Sequence, residues 1–143
     1  MKKSKIDDID LKIIKLLEKN SRISNVEIAR KLNLSEGAIR KRIEKLKKLG
    51  VIKRFSLIID YNLLGYKICW IGLNVEKNKI VEIINKIPKD DNVKGIYLTY
   101  GDHDIIIEYI YKDNKELEDY LNKIREISDI KEMWPAISIE KIY

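Results

Sequence analysis

Residues 21–50 confine the first part of this chain to a narrow set of folds. Ser24 and Glu27 stand at the S-x-x-E spacing of a capping box, and Ile23 and Ile28 take the positions of a hydrophobic staple. The spacing predicts a short helix ending near Leu32. Asn33 follows, a residue that tolerates the left-handed backbone of a tight turn. Leu34 reads as a buried spacer and Ser35 as a second N-cap. From there Ile39, Ile43, Leu46 and Leu49 recur on one helical face until Gly50 ends the run. Upstream, Ile9, Ile13, Leu16 and Leu17 mark an earlier helix, with Asp7 and Asp8 at its N-terminus, where acids are favoured. Two short helices joined by about three residues, the second amphipathic and basic, make a helix-turn-helix.

Charge separates this part from the rest. Residues 1–60 carry 17 Lys and Arg against 8 Asp and Glu, whereas residues 61–143 carry 12 against 15. A basic module joined to a mildly acidic one is the footprint of a nucleic-acid reader attached to a second function. Double-stranded DNA is the partner that this pattern fits. Ser35, Glu36, Gly37, Ala38, Arg40 and Lys41 occupy the N-terminal end of the last helix, the end that meets base edges in the major groove. Gly37 and Ala38 allow close approach, and Arg40 and Lys41 suit guanine edges. Arg42 lies nearer the buried side and reads as positioning the helix, through phosphate or an internal ion pair. Lys45, Lys47, Lys48, Lys53 and Arg54 are placed to meet phosphates, and the backbone amides that open the helices at Ser24, Asn25 and Ser35 are phosphate donors.

Beyond Gly50, residues 51–59 read as a strand whose basic pair Lys53–Arg54 forms a wing, and residues 60–65 as a hinge. Residues 66–75 then predict a strand, and Ile80, Ile83, Ile84 and Ile87 a helix stopped before Pro88. Residues 93–100 and 105–111 predict two more strands around the turn Gly101-Asp102-His103-Asp104. Leu117, Leu121, Ile124 and Ile127 mark another helix, and residues 137–142 a final strand. The order is β-α-β-β-α-β, the ferredoxin-like pattern. The fold class is therefore α+β, a winged helix-turn-helix over residues 1–60 and a βαββαβ domain over residues 61–143. Two helices cover one face of a four-stranded sheet, yet the strands are apolar on both: Cys69, Ile71, Leu73 and Val75 on one side, Ile68 and Trp70 on the other. An apolar face without a helix requires a partner, and a second copy of the chain, a homodimer, is the simplest.

Several classes are excluded. No apolar run approaches the roughly 20 residues that span a bilayer, and Met1-Lys2-Lys3-Ser4 leads into charge rather than a signal-peptide core, so no membrane association and a cytoplasmic location are expected. One cysteine, Cys69, and one histidine, His103, leave no intrachain disulfide, metal set or catalytic triad. The chain reads as a non-enzyme without metal or cofactor.

These motifs resemble the Lrp/AsnC (feast/famine) transcription regulators over nearly the whole chain. The resemblance is carried by Asp7-Asp8-Ile9-Asp10-Leu11-Lys12-Ile13-Ile14, by Ser24-Asn25-Val26-Glu27-Ile28-Ala29, and by Leu34-Ser35 with Arg42-Ile43 and Leu46-Lys47-Lys48-Leu49-Gly50-Val51-Ile52. In the second domain Gly101-Asp102-His103-Asp104 carries it. It implies a sequence-specific regulator that binds palindromic operators as dimers, octamers or larger assemblies, and an amino-acid effector held beside Gly101, Asp102, His103 and Asp104. Asp102 and Asp104 suit hydrogen bonds from an ammonium group. Many relatives carry two threonines where this chain reads Lys131-Glu132-Met133-Trp134-Pro135-Ala136, so those hydroxyls are missing here. The alternative is an architectural DNA-packing protein with weak sequence preference, since fold alone does not separate the two. Some relatives of the fold decarboxylate sirohaem with a His-rich segment, which a chain with one histidine lacks.

Overall fold

The computed structural model describes residues 6–143; the charged stretch at 1–4 lies outside them. The chain divides into two compact units, with the boundary in the sequence between Ile58 and Ile59. In the first, α1 spans Asp8–Lys19, α2 Asn25–Leu32 and α3 Glu36–Lys48. Each start is chemically capped. The Asp7 carboxylate accepts from the Asp10 amide at 2.9 Å, and the Asp10 carboxylate accepts from the Asp7 amide at 3.1 Å, a reciprocal capping box. Ser24 accepts from the Glu27 amide and Ser35 from the Ala38 amide, each at 3.1 Å. The box expected at Ser24 is only half made, because the Glu27 carboxylate pairs with Lys31 one turn on. Asn33 is left-handed at φ 54°, so the turn between α2 and α3 closes as its sequence predicts. At the end of α3, Gly50 at φ 73° lets its own amide reach the Lys47 carbonyl and the Val51 amide reach that of Leu46, a Schellman stop.

The core of this unit is Ile13, Ile28, Ala29, Ile39, Ile43 and Leu46, one stripe from each helix. Full burial of an Ile or Leu contributes about 1.5–3 kcal/mol, so the three short helices depend on one another rather than on propensity. Residues 51–59 form no strand, contrary to the sequence pattern, and Leu57 and Ile58 are exposed. A strand is stabilised by its ladder, and among the described residues this unit has no other strand to pair with.

The second unit orders β1 (Lys67–Val75), α4 (Ile80–Lys86), β2 (Val93–Leu98), β3 (Ile105–Tyr111), α5 (Asn114–Arg125) and β4 (Ile130–Ser138). The sheet order is β2-β3-β1-β4, antiparallel throughout, which is the ferredoxin-like arrangement. The last strand lies earlier than residues 137–142. β4 runs antiparallel to β1, and Ser138 faces Ile68 near the start of β1, so residues further on have little of β1 left to face. Pro135, which donates no ladder bond, is tolerated because β4 is an edge. Cys69, Ile71, Leu73, Val75, Ile105, Ile107 and Tyr109 pack against Ile83, Leu117, Tyr120, Leu121 and Ile124 from the two helices. Tyr109 and Tyr120 stack at 3.9 Å, and the Tyr120 hydroxyl donates to the Pro88 carbonyl at 2.9 Å.

Among the described residues, both α-helices of this unit pack on the face of Cys69 and Ile71 and leave the opposite one without a helix from this unit. Ile68, Trp70, Gly72 and Asn74 of β1 lie there beside Ile106 and Glu108 of β3, Tyr97 of β2 and Trp134 of β4. Trp70 is 39% and Trp134 56% exposed.

Tyr111 is fully buried, and its hydroxyl finds no hydrogen-bond partner. A buried unpaired hydroxyl costs about 1–3 kcal/mol. Tyr111→Phe is expected to leave stability unchanged or raise it by about 1 kcal/mol, read as the melting temperature; a clear fall would show that the hydroxyl is satisfied in solution.

Candidate nucleic-acid interface and effector loop

The capped start of α3 brings most of the expected DNA residues onto one surface. Ser35, Glu36, Gly37, Arg40 and Lys41 are exposed and Ala38 is half-buried. A side chain at Gly37 would meet nothing within 4 Å, so nothing else in the unit crowds that end of the helix. Arg40 is held by Glu36 one turn back, a pair that leaves both groups at the surface. Further along, Arg40, Lys41, Glu44, Lys45, Lys48 and Leu49 line an open hollow of about 580 Å³. Ser24 is exposed and Asn25 half-buried at the start of α2, with Ser24 spent on its cap. Lys53 and Arg54 are exposed on the irregular segment after α3, not on a paired wing. Lys47 pairs with Glu44 at 3.1 Å and lies 6.0 Å above the Phe55 ring.

Arg42 and Lys45 are placed otherwise. Arg42 Nη1 lies 2.8 Å from both Asp7 oxygens and 2.9 Å from Asp10 Oδ1, and Lys45 Nζ meets Asp10 Oδ2. Of the two uses that the sequence left open for Arg42, the internal ion pair is the one formed here. Asp10 has no exposed surface, and it was not singled out from sequence as a functional residue. Its D-x-x-D spacing from Asp7 was the available signal, since aspartate can cap much as serine does.

The Gly101–Asp104 turn is tightly built. Gly101 has φ +128°, a conformation that suits glycine. Asp102 is exposed. Asp104 Oδ2 accepts from the Val75 amide at 3.0 Å, and the Asp104 amide donates to the Leu73 carbonyl at 2.9 Å. His103 Nδ1 lies 2.9 Å from Asn74 Oδ1 and its ring covers Gly72, where a Cβ would fall 2.6 Å from the imidazole. Thr99 donates its hydroxyl to the His103 carbonyl at 2.6 Å. One oxygen of Asp104 is therefore committed to the end of β1, and Asp102 is the turn's exposed carboxylate.

Two family models match successive parts of the chain. Residues 6–53 match a winged helix-turn-helix DNA-binding model, and residues 68–143 match the Lrp/AsnC ligand binding domain. The chain is 35% identical to the HTH-type transcriptional regulator LrpA of Pyrococcus horikoshii, over 96% of this chain and 99% of that protein. It is 34% identical to the LrpA of Pyrococcus abyssi over the same shares. The structure of E. coli AsnC superposes with a TM-score of 0.78 at 27% identity, covering 96% of this chain and 95% of the other.

Asp7 and Asp10 supply a pH dependence. The Arg42 guanidinium and the Asp10 amide lower the Asp7 pKa from 3.8 to about 2. Burial opposes ionisation of Asp10, but Lys45, the Asp7 amide and Arg42 together hold its pKa below the ordinary value. Both folded-state values are depressed. The stabilisation they contribute is therefore present above pH 3.8 and lost as pH falls toward about 2. Helical circular dichroism of the N-terminal unit should be retained at pH 5 and fall in that window; Asp10→Asn should flatten the loss. An equal acid loss in Asp10→Asn and wild type would contradict this.

Proposed function

The chain belongs to the Lrp/AsnC family of transcription regulators, with a DNA-binding helix-turn-helix and a ligand-binding domain, and from that premise we propose that it reads palindromic operators as a homodimer or higher assembly of dimers. The observation that carries this reading is the uncovered sheet face with Trp70, Trp134, Tyr97 and Ile106. Apolar surface of this extent is stabilised by exclusion from water, and a second copy supplies a self-complementary face under two-fold symmetry. Two copies joined there carry two recognition helices, and a two-fold protein matches a two-fold site.

In this reading Ser35, Glu36, Gly37, Ala38, Arg40 and Lys41 enter the major groove. Ser24, Asn25, Lys53 and Arg54 hold the flanking backbone. Phosphate contacts supply most of the affinity and base contacts the preference. A small ligand with an ammonium group, of which a free amino acid is the simplest, binds beside Gly101 and Asp102, and the regulator works in the cytoplasm, where its DNA is. Met133 and Pro135 offer no hydroxyls in the strand that relatives furnish with threonines, so an effector here relies on other donors. His103 and Asp104 serve it indirectly, by holding the turn against Asn74 and Val75.

Sedimentation equilibrium tests the pairing. Wild type is expected to sediment as a dimer or a multiple of it. Trp70→Glu, which places a charge on the open face but leaves the buried core untouched, should sediment as a monomer with its circular dichroism preserved. A Trp70→Glu chain that keeps the wild-type mass would mean that assembly uses another surface.

A further inference from the structure

The basic residues of α3 divide into two sets. Arg40, Lys41, Lys47 and Lys48 are exposed, whereas Arg42 and Lys45, three residues apart and so on one side of the helix, carry their charged ends to α1, Lys45 while still bordering the outer hollow. There they meet Asp7 and Asp10, which are themselves three apart at the start of α1. A four-charge cluster thus joins the N-terminus of α1 to the middle of α3. Asp10 is its centre: it has no exposed surface and takes one bond from each cation.

Aliphatic packing is non-directional. Ile39, Ile43 and Leu46 hold α3 against its neighbours, and apolar contact of this kind sets the rotation of a helix less sharply than a directional bond does. Charged hydrogen bonds are directional, and a rotation that pulled Arg42 and Lys45 away would strand a buried carboxylate. We infer that Asp10 is a positioning residue for DNA recognition. Through Arg42 and Lys45 it fixes the rotation of α3, and so the angle at which Arg40 and Lys41 meet the bases. The two cations act inward and neutralise no phosphate. This goes beyond the reading above, because it removes two of the expected DNA contacts and gives them, with an acid outside the interface, a share in specificity.

The test uses the full chain and two probes. One is a duplex selected from a random pool by wild-type protein; the other is a random-sequence duplex of about four helical turns, roughly 40 base pairs. Affinity for each is measured against salt concentration. Lys48→Gln is the phosphate control and should lower the slope of log affinity against log salt by about 0.9. Arg42→Gln and Lys45→Gln should keep the wild-type slope on the random duplex. Both should reduce the preference for the selected duplex, Arg42→Gln by about tenfold, the scale of one lost base contact. Arg42→Lys, which keeps a charge for Asp10, should retain most of it. A slope loss of about 0.9 in Arg42→Gln or Lys45→Gln would overturn the inference by making them phosphate contacts. A preference unchanged in both, with only a lower melting temperature, would overturn it by making the cluster purely structural. If Arg42→Gln does not fold, Lys45→Gln decides alone on both readouts, since Arg42 still holds Asp10 in that variant.

Discussion

Asp10 carries a charge in a place where charge is expensive. Burial favours its neutral form, and an amide, a guanidinium and an ammonium that converge on the carboxylate outweigh that and favour the ionised one. Those donors come from different segments, the cap of α1 and the inner side of α3. The interaction therefore holds only when both helices are formed and correctly opposed. The helices are short, and helices of this length are marginal alone. Their caps begin them, the aliphatic stripe holds them together, and the Asp10 cluster selects one arrangement among those the stripe would tolerate. What α3 presents at its outer surface follows from that choice.

The second unit poses the opposite problem. Its helix-facing side is closed by a dense set of Ile, Leu and Tyr side chains. Its other side carries the partly exposed aromatic rings of Trp70, Tyr97 and Trp134. Two glycines in that face, Gly72 and Gly95, lie under the rings of His103 and Tyr97, and neither has room for a Cβ. The His103 contact also ties the Gly101–Asp104 turn to β1, in company with the Asp104–Val75 bond. A ligand that altered this turn would act on a central strand of the sheet, and on whatever surface packs against its open face. In the proposed dimer this would link the turn to assembly, and through assembly to the spacing of two recognition helices.

Much of this was legible in the residues themselves. Ser24, Asn33, Ser35 and Gly50 act locally, and each does what its own chemistry predicts. The alternation in β1 separated the core face from the open face correctly, because side chains in a strand alternate whatever the partner. Features that depend on distant residues were harder to read. Residues 51–59 have the composition of a strand, yet a strand exists only with a neighbour. The final strand was expected at residues 137–142, too far along, because the register with β1 decides where β4 ends. Asp10 entered the sequence reading only as a member of the run Asp7–Ile14. Its role appears only when Arg42 and Lys45, more than thirty residues away, are brought to it.

The central claim is that two copies of this helix-turn-helix act as one reader of a two-fold site. Selection of bound duplexes from a random-sequence pool by the 143-residue chain tests it most directly. The account predicts enrichment of two inverted half-sites whose centres lie one helical turn, roughly 10 base pairs, or a multiple of it apart. A single unrepeated motif would contradict the paired reader. A pool recovered without any enrichment would contradict sequence reading altogether and leave a protein that packs DNA.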